Sequence, residues 1–104
     1  MPTLDTPFWI LTDLRATAAS PIKPTFAPRH VAAFTGIDKA RAFLNANNLD
    51  AEVGVVTERT VRAVSDVFRL LGLEGYCVDP VDDGPCSALV RFEKVARRKS
   101  LAEN

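Results

Sequence analysis

The chain has 104 residues, of which 47% are hydrophobic and 25% charged, and its 13 basic residues balance its 13 acidic residues. This composition predicts one soluble, ordered domain over residues 1–104, and it argues against a disordered tail protein or a strongly basic nucleic-acid module. No apolar run approaches the ~20 residues that a membrane helix needs, and the N-terminus lacks the pattern of a signal peptide. We therefore expect no membrane segment, and the presence of only two cysteines, fewer than a small secreted domain usually carries, indicates the cytoplasm.

The first predicted elements are a strand, a proline-rich loop and a second strand. Residues 8–11 form a short apolar run rich in β-favouring side chains, which predicts a strand buried on both faces. Residues 16–29 contain three prolines, which remove backbone donors, so this segment is interpreted as a loop or a poor edge strand. His30–Phe34 is again apolar and predicts the second strand.

A helix is predicted after the second strand. Thr35 is a suitable capping residue, and Asp38 three residues later favours the positive N-terminal end of a helix. Apolar side chains then recur with the helical period on one face, at Ile37, Ala40, Phe43 and Leu44. Asn47 and Asn48 are suitable stop residues, because asparagine tolerates the left-handed conformation.

The second half of the chain predicts a strand, a helix and two further strands. Residues 52–57 read as a strand in which Gly54 marks close approach of a neighbouring element. The next helix begins near Thr57 or Thr60 and ends at Gly72, with an apolar stripe at Val61, Val64, Phe68 and Leu71. Residues 76–78 predict a short strand.

The C-terminal region predicts turns, an edge strand and a basic tail. Turn residues fill positions 79–85, and residues 86–92 alternate apolar and polar side chains, as in an antiparallel edge strand. Residues 93–104 are basic and then polar, which fits either a short helix or a frayed tail. The predicted order is β-β-α-β-α-β-β, an α/β (α+β mixed) fold. Right-handed crossovers lead us to expect a mixed sheet with both amphipathic helices packed on one face.

Two motifs resemble the N-terminal domain of SseB-type bacterial proteins. The strand at residues 31–35, Val-Ala-Ala-Phe-Thr, followed by a helix with Ala42-Phe43-Leu44, is similar to one family motif. The segment from Gly72 to Pro80 is similar to a second, although Asp79 stands where the family more often has asparagine. The resemblance covers about residues 8–83. It implies a bacterial cytoplasmic accessory domain, and the family offers no defined catalytic residues to carry over.

The carboxyl ends of the predicted parallel strands form the strand-end rim, where ligands bind in open α/β sheets. The rim residues are Thr35, Gly36, Thr57, Arg59, Asp79, Asp82 and Asp83. Two helix N-termini and Arg59 favour an anion, whereas the three aspartates repel one and could instead attract a divalent cation. Solvated turn residues are the third interpretation, since Asp, Pro and Gly are common in turns.

The cysteines, the single histidine and the basic tail carry fewer indications of function than the rim does. Cys77 and Cys86 fit neither a redox pair nor a zinc half-site, which leaves reduced thiols or a bridge between them. His30, the single histidine, has no evident catalytic partner and suggests a structural role. The basic tail residues are Arg91, Lys94, Arg97, Arg98 and Lys99. They could contact RNA, an anionic lipid or an acidic partner, dock on the acidic middle of the chain, or remain solvated.

The sequence thus predicts a non-enzymatic interaction domain that associates with a protein partner or with itself through an exposed sheet face or edge. No cofactor or metal is called for, and a nucleic-acid partner is disfavoured by the lack of aromatic residues among the basic ones. The alternative is a domain that binds a small anion or metal, or an enzyme, at the strand-end rim. Weak nucleic-acid contact through the basic tail ranks third.

Overall fold

The computed structural model describes residues 3–14, 20–24, 26–81 and 88–96. Its strands are β1 (Leu4–Asp5), β2 (Phe8–Asp13), β3 (Ser20–Pro21), β4 (His30–Phe34), β5 (Ala51–Val56), β6 (Gly75–Val78), β7 (Ala88–Arg91) and β8 (Val95–Ala96). Its α-helices are α1 (Ile37–Ala46) and α2 (Val61–Leu70), and a 3-10 turn at Phe92–Lys94 precedes β8. The mixed α+β content of the prediction is confirmed. The two-residue strands β1, β3 and β8 are additions.

Six strands form one mixed sheet in the order β5-β2-β4-β6-β7, and β3 pairs with the end of β2 on the β4 side. β4 and β6 are parallel, β2 is antiparallel to both β4 and β5, and β7 is antiparallel to β6. β4, β5 and β6 therefore run in the same direction, with β2 between β5 and β4. The predicted edge strand is β7, where Val90 is buried and Leu89 and Arg91 are exposed. β1 and β8 form a separate parallel pair.

The expectation that both helices pack on one sheet face is wrong. α1 contributes Ala40 and Phe43 to a cluster with Ala32 and Phe34 of β4, whereas α2 packs against the alternate β4 residues, on the opposite face. The strand order explains the difference. The β4–α1–β5 crossover moves in one direction across the sheet and the β5–α2–β6 crossover returns in the other. Right-handed crossovers in opposite directions place their helices on opposite faces.

The core on the α2 face is built around four aromatic rings. Tyr76 is fully buried, and its ring meets Phe8 and Phe92 edge-on at centroid distances of 4.9 and 5.0 Å. Phe68 of α2 packs on the same ring at 6.2 Å. The Tyr76 hydroxyl shares a buried 2.9 Å hydrogen bond with the Ser65 hydroxyl of α2, so the one phenolic group in this core has a partner. Burial raises the pKa of Tyr76 to about 12.

Close backbone approach occurs at Gly75 and not at Gly54. A Cβ atom on Gly75 would lie 2.2 Å from the Val90 carbonyl oxygen of β7, so β6 and β7 meet only because this side chain is missing. A Cβ atom on Gly54 would have no heavy atom within 4 Å, which contradicts the predicted close approach there.

The helix ends follow the sequence more closely than the helix starts do. α1 is followed by Asn48 in the left-handed conformation, and α2 by Gly72 at φ +85°, as predicted. α2 begins after Thr60, within the predicted range, but α1 is capped by Gly36 rather than by Thr35. In the part of the chain that the structure describes, no helix is long and apolar enough to cross a membrane.

Candidate functional site

At the strand-end rim, Thr35 and Asp79 come together although they lie 44 residues apart in sequence. Asp79 Oδ1 accepts the Thr35 backbone N–H at 2.9 Å, and Oδ2 accepts the Thr35 hydroxyl at 2.8 Å. The Lys39 ammonium, in the first turn of α1, lies 3.4 Å from Oδ2. Asp79 also donates its own N–H to Ala33 at 2.7 Å. The cluster therefore joins the ends of β4 and β6.

This cluster changes the chemistry expected at the rim. The Asp79 carboxylate occupies the N–H and hydroxyl of Thr35, which directly precedes Gly36, the N-cap of α1. Its charge is partly balanced by Lys39. Asp79 holds this position at φ 50°, a left-handed conformation that aspartate tolerates better than most residues. A negative charge of the chain itself thus lies beside the start of α1, where it would repel the phosphate that was considered there.

Thr57 and Arg59 do not join this cluster. β5 is separated from β4 by β2, a gap of two strand spacings or about 10 Å, and α2 follows β5 on the sheet face opposite α1. The Thr57 N–H donates to the Thr60 hydroxyl at 3.0 Å, which ties it to the start of α2. Arg59 is exposed. The two helix starts therefore do not converge on one ligand site as the sequence suggested.

Part of the predicted site lies outside the described residues. This applies to Asp82 and Asp83 of the rim and to Cys86, so neither the cation site nor the cysteine bridge is tested. Cys77 is fully buried in β6. Within the described ranges, no group of three His, Cys, Asp or Glu side chains could hold a metal ion.

An apolar cavity of about 330 Å³ adjoins the rim cluster on the α1 side. The helix contributes Ala42, Phe43 and Ala46, and the chain after β6 contributes Pro80 and Val81. Lys39 and Asp79 stand at its edge. Its volume falls at the lower end of the range for small-molecule pockets.

The basic tail is described only at its beginning. Arg91 donates to Glu93 at 3.0 Å, and Lys94 is exposed. Arg97, Arg98 and Lys99 lie outside the described residues. The pKa of Glu93 is lowered, first by a hydrogen bond with its own backbone and then by the nearby Arg91 and Arg69 cations. Arg91 therefore has an intramolecular partner.

His30 opens β4 and is partly buried. Burial lowers its pKa, the Glu74 carboxylate acts in the opposite direction, and Arg91 adds to the lowering. It is not part of the rim cluster.

The most unusual surface belongs to α2, and the sequence interpretation missed it. Its buried residues are Val61, Ser65 and Phe68, so the core-facing stripe is rotated from the predicted one. The outer apolar residues are Val67, Leu70 and Leu71, exposed by 53%, 87% and 58%. We call these three residues the α2 outer surface.

The α2 outer surface borders a groove whose described lining residues are all uncharged. One wall is Val64 and Val67 of α2 with Leu71, the residue that follows the helix. The other wall is Ile10 and Thr12 of β2 together with Ser20 and Pro21 of β3. The groove encloses about 250 Å³, which is below the usual range for small-molecule pockets and fits a few inserted side chains.

The charged residues of α2 lie on its other flank. Arg69 is 3.0 Å from Asp66 and 3.9 Å from Glu93, and its guanidinium stands 5.5 Å from the centre of the Phe92 ring. Arg62, Asp66 and Arg69 line the same cleft beside Phe92. A surface helix with one buried stripe normally carries polar residues on its remaining faces. The one-sided charge of α2 was the sequence pattern that could have revealed the outer surface.

No family model, curated protein or solved structure matches this chain. The resemblance to SseB-type proteins therefore stays a prediction.

Proposed function

We propose that the protein is a non-enzymatic interaction domain that binds a protein partner through the α2 outer surface. The observation that carries the proposal is the exposure of Val67, Leu70 and Leu71, of which Val67 and Leu71 line a groove whose described lining has no charged residue. Contiguous apolar surface of this kind is typical of protein-binding sites. The resemblance to SseB-type proteins supports an accessory role in the bacterial cytoplasm.

The three exposed side chains can contribute a substantial part of the free energy of binding. Complete burial of a valine or leucine side chain contributes roughly 1.5–3 kcal/mol. Weighted by the fractions now exposed, the three residues would contribute about 4 kcal/mol when a partner covers them. They would therefore act as anchors within a larger interface.

The lining of the groove also indicates which side chains a partner should insert. Its described lining has no charged residue, so an ionised partner group placed there would lose water without gaining an ion pair. The partner should therefore present a short row of aliphatic or aromatic side chains. The charged flank of α2, with Arg62, Asp66 and Arg69, would meet the polar rim of the interface.

The test replaces Leu70 by lysine and compares protein capture from native lysate by wild type, Leu70→Lys and Leu89→Lys. Leu70 is almost fully exposed, so its replacement should change stability by no more than about 0.5 kcal/mol. Leu89 on β7 is the matched control, an exposed leucine away from the groove. The proposal expects a specific protein retained by wild type and Leu89→Lys and lost with Leu70→Lys. Equal retention by all three proteins would overturn it.

A second candidate is a small, mainly apolar ligand in the cavity beside the rim. The favouring observation is the cavity of about 330 Å³ between α1 and Pro80, with the Lys39 cation at its edge. A ligand at 100 times its dissociation constant would stabilise the fold by about 2.7 kcal/mol. A thermal-shift screen of short-chain carboxylates should give hits that Ala46→Trp removes, and a flat screen would exclude that ligand class.

A further inference from the structure

β5 has the properties of a strand edge available for pairing. All six of its residues pair with β2 in continuous register, from Ala51 opposite Asp13 to Val56 opposite Phe8. None of the described residues pairs with its other edge. Alternate backbone N–H and C=O groups of a strand point to each side, so this edge presents hydrogen-bonding groups over the full length of the strand.

The usual protections of an edge strand are missing from β5. It contains no proline, lysine or bulge, and its one charged residue is Glu52. Val55 is 52% exposed. The opposite edge of the sheet differs, because β7 has four residues, ends in Arg91 and runs directly into a 3-10 turn. Short strands and charged residues are common ways of blocking edge pairing.

Among the described residues, β5 has a strand neighbour on one edge only. On one face Ala51 and Val53 pack against the α1 cluster, and on the other Val56 packs with the α2 cluster. Apolar contacts therefore cover both faces of the sheet at β5. What the described residues leave unpaired is the row of backbone N–H and C=O groups along its outer edge. Only another extended segment can match that row of donors and acceptors.

We propose that β5 pairs antiparallel with β5 of a second copy of this chain, around a two-fold axis perpendicular to the sheet that passes midway between the two Gly54 residues. Such an axis places residues of the same sheet face opposite each other. Gly54 then lies opposite Gly54, Val53 opposite Val55, and Glu52 opposite Val56. Valine pairs of this kind stabilise a sheet, and the two Glu52 carboxylates do not face each other.

A second copy is favoured over a foreign peptide because β5 itself supplies the residues that a strand paired with β5 must carry. The partner strand must offer an uncharged residue opposite Glu52 and an apolar residue opposite Val55, and this register supplies Val56 and Val53. A two-fold axis also satisfies both copies at once with a closed interface. The two surfaces adjoin, because Gly54 pairs with Ile10 of the groove wall, so the proposals are told apart by Leu70→Lys, which changes the α2 outer surface and leaves β5 intact.

The two facing Gly54 residues allow a direct test by charge. The space beside Gly54 is open, so Gly54→Lys and Gly54→Glu should leave each monomer folded. In the dimer each substitution would place two like charges opposite each other, which destabilises a strand pair. Mass is measured by light scattering across a dilution series. Wild type should show twice the chain mass of 11.3 kDa, and each variant alone should dissociate at concentrations at least about tenfold higher.

Mixing the two variants provides the decisive comparison. An equal mixture of Gly54→Lys and Gly54→Glu should recover the dimer, because lysine then faces glutamate. Leu89→Lys on β7 is the control and should behave as wild type, as should Leu70→Lys on α2. A monomeric wild type overturns the proposal, as does a dimer that both Gly54 variants retain, a mixture that stays dissociated, or a dimer lost with Leu89→Lys. Capture of a foreign strand by monomeric wild type would also replace the second copy as the occupant.

Discussion

The buried hydrogen bond between Ser65 and Tyr76 allows the packing of α2 on the sheet to be measured. The two hydroxyl oxygens are 2.9 Å apart in the core, and each is the partner of the other. We consider three variants: Ser65→Ala, Tyr76→Phe and the double variant. Phenylalanine at position 76 keeps the ring that packs against Phe8 and Phe92.

The expected magnitudes follow from what each variant leaves behind. A single substitution leaves one buried hydroxyl without a partner, which costs about 1–3 kcal/mol. In Ser65→Ala this loss is offset by roughly 0.5 kcal/mol, because alanine is the better helix former. The double variant removes both hydroxyls and should cost less than the sum of the single variants by about 1–2 kcal/mol.

Urea unfolding of the four proteins measures this coupling. Each kcal/mol corresponds to a shift of about 4–8 °C in the melting midpoint for a domain near this size, so thermal unfolding provides a second measurement. If the two single losses simply add in the double variant, the hydrogen bond does not couple α2 to β6 and the reasoning is refuted.

Four further outcomes are expected from stability measurements. Gly75→Ala should lose about 1–3 kcal/mol or more in urea unfolding, because its Cβ would strike the β7 backbone, and wild-type stability would contradict that contact. Asp79→Ala should lose about 1–2 kcal/mol through the lost hydrogen bonds at the end of β4, and no loss would mean that the cluster is not structural. The pKa of Tyr76 is raised from 10.0 to about 12, so stability should be full below pH 10 and fall as the pH approaches 12, a loss that Tyr76→Phe should not show in alkaline unfolding curves. The pKa of His30 is lowered from 6.5, so the unfolded chain binds protons more readily and stability should fall as the pH drops below 6.5; His30→Gln should flatten that part of the curve.

Short sequence patterns predicted the helices and strands because the interactions that form them join residues close together in the chain. The apolar period indicated α1 and α2, and the left-handed Asn48 and Gly72 ended them where expected. Period-two alternation indicated β7 as an edge strand. These features depend on residues close together in the chain.

Features that depend on strand order could not be read in the same way. Both crossovers were expected to be right-handed, but without the order β5-β2-β4-β6 their directions were unknown, and so was the placement of α1 and α2 on opposite faces. The same limit applies to the rim, where β2 separates Thr57 from Thr35. Thr35 and Asp79 were both placed on the rim, but the hydrogen bonds between them join residues 44 apart in sequence and left no local pattern.

Photo-crosslinking from position 70 tests the proposed interaction surface most directly. The photoreactive amino acid benzoylphenylalanine replaces Leu70 in one protein and Leu89 in a control, since both side chains are exposed. Irradiation in cells should give a discrete adduct between position 70 and a different protein, with no such adduct from position 89. The absence of an adduct from position 70, or the same adducts from both positions, would contradict the account of α2 as a protein-binding surface.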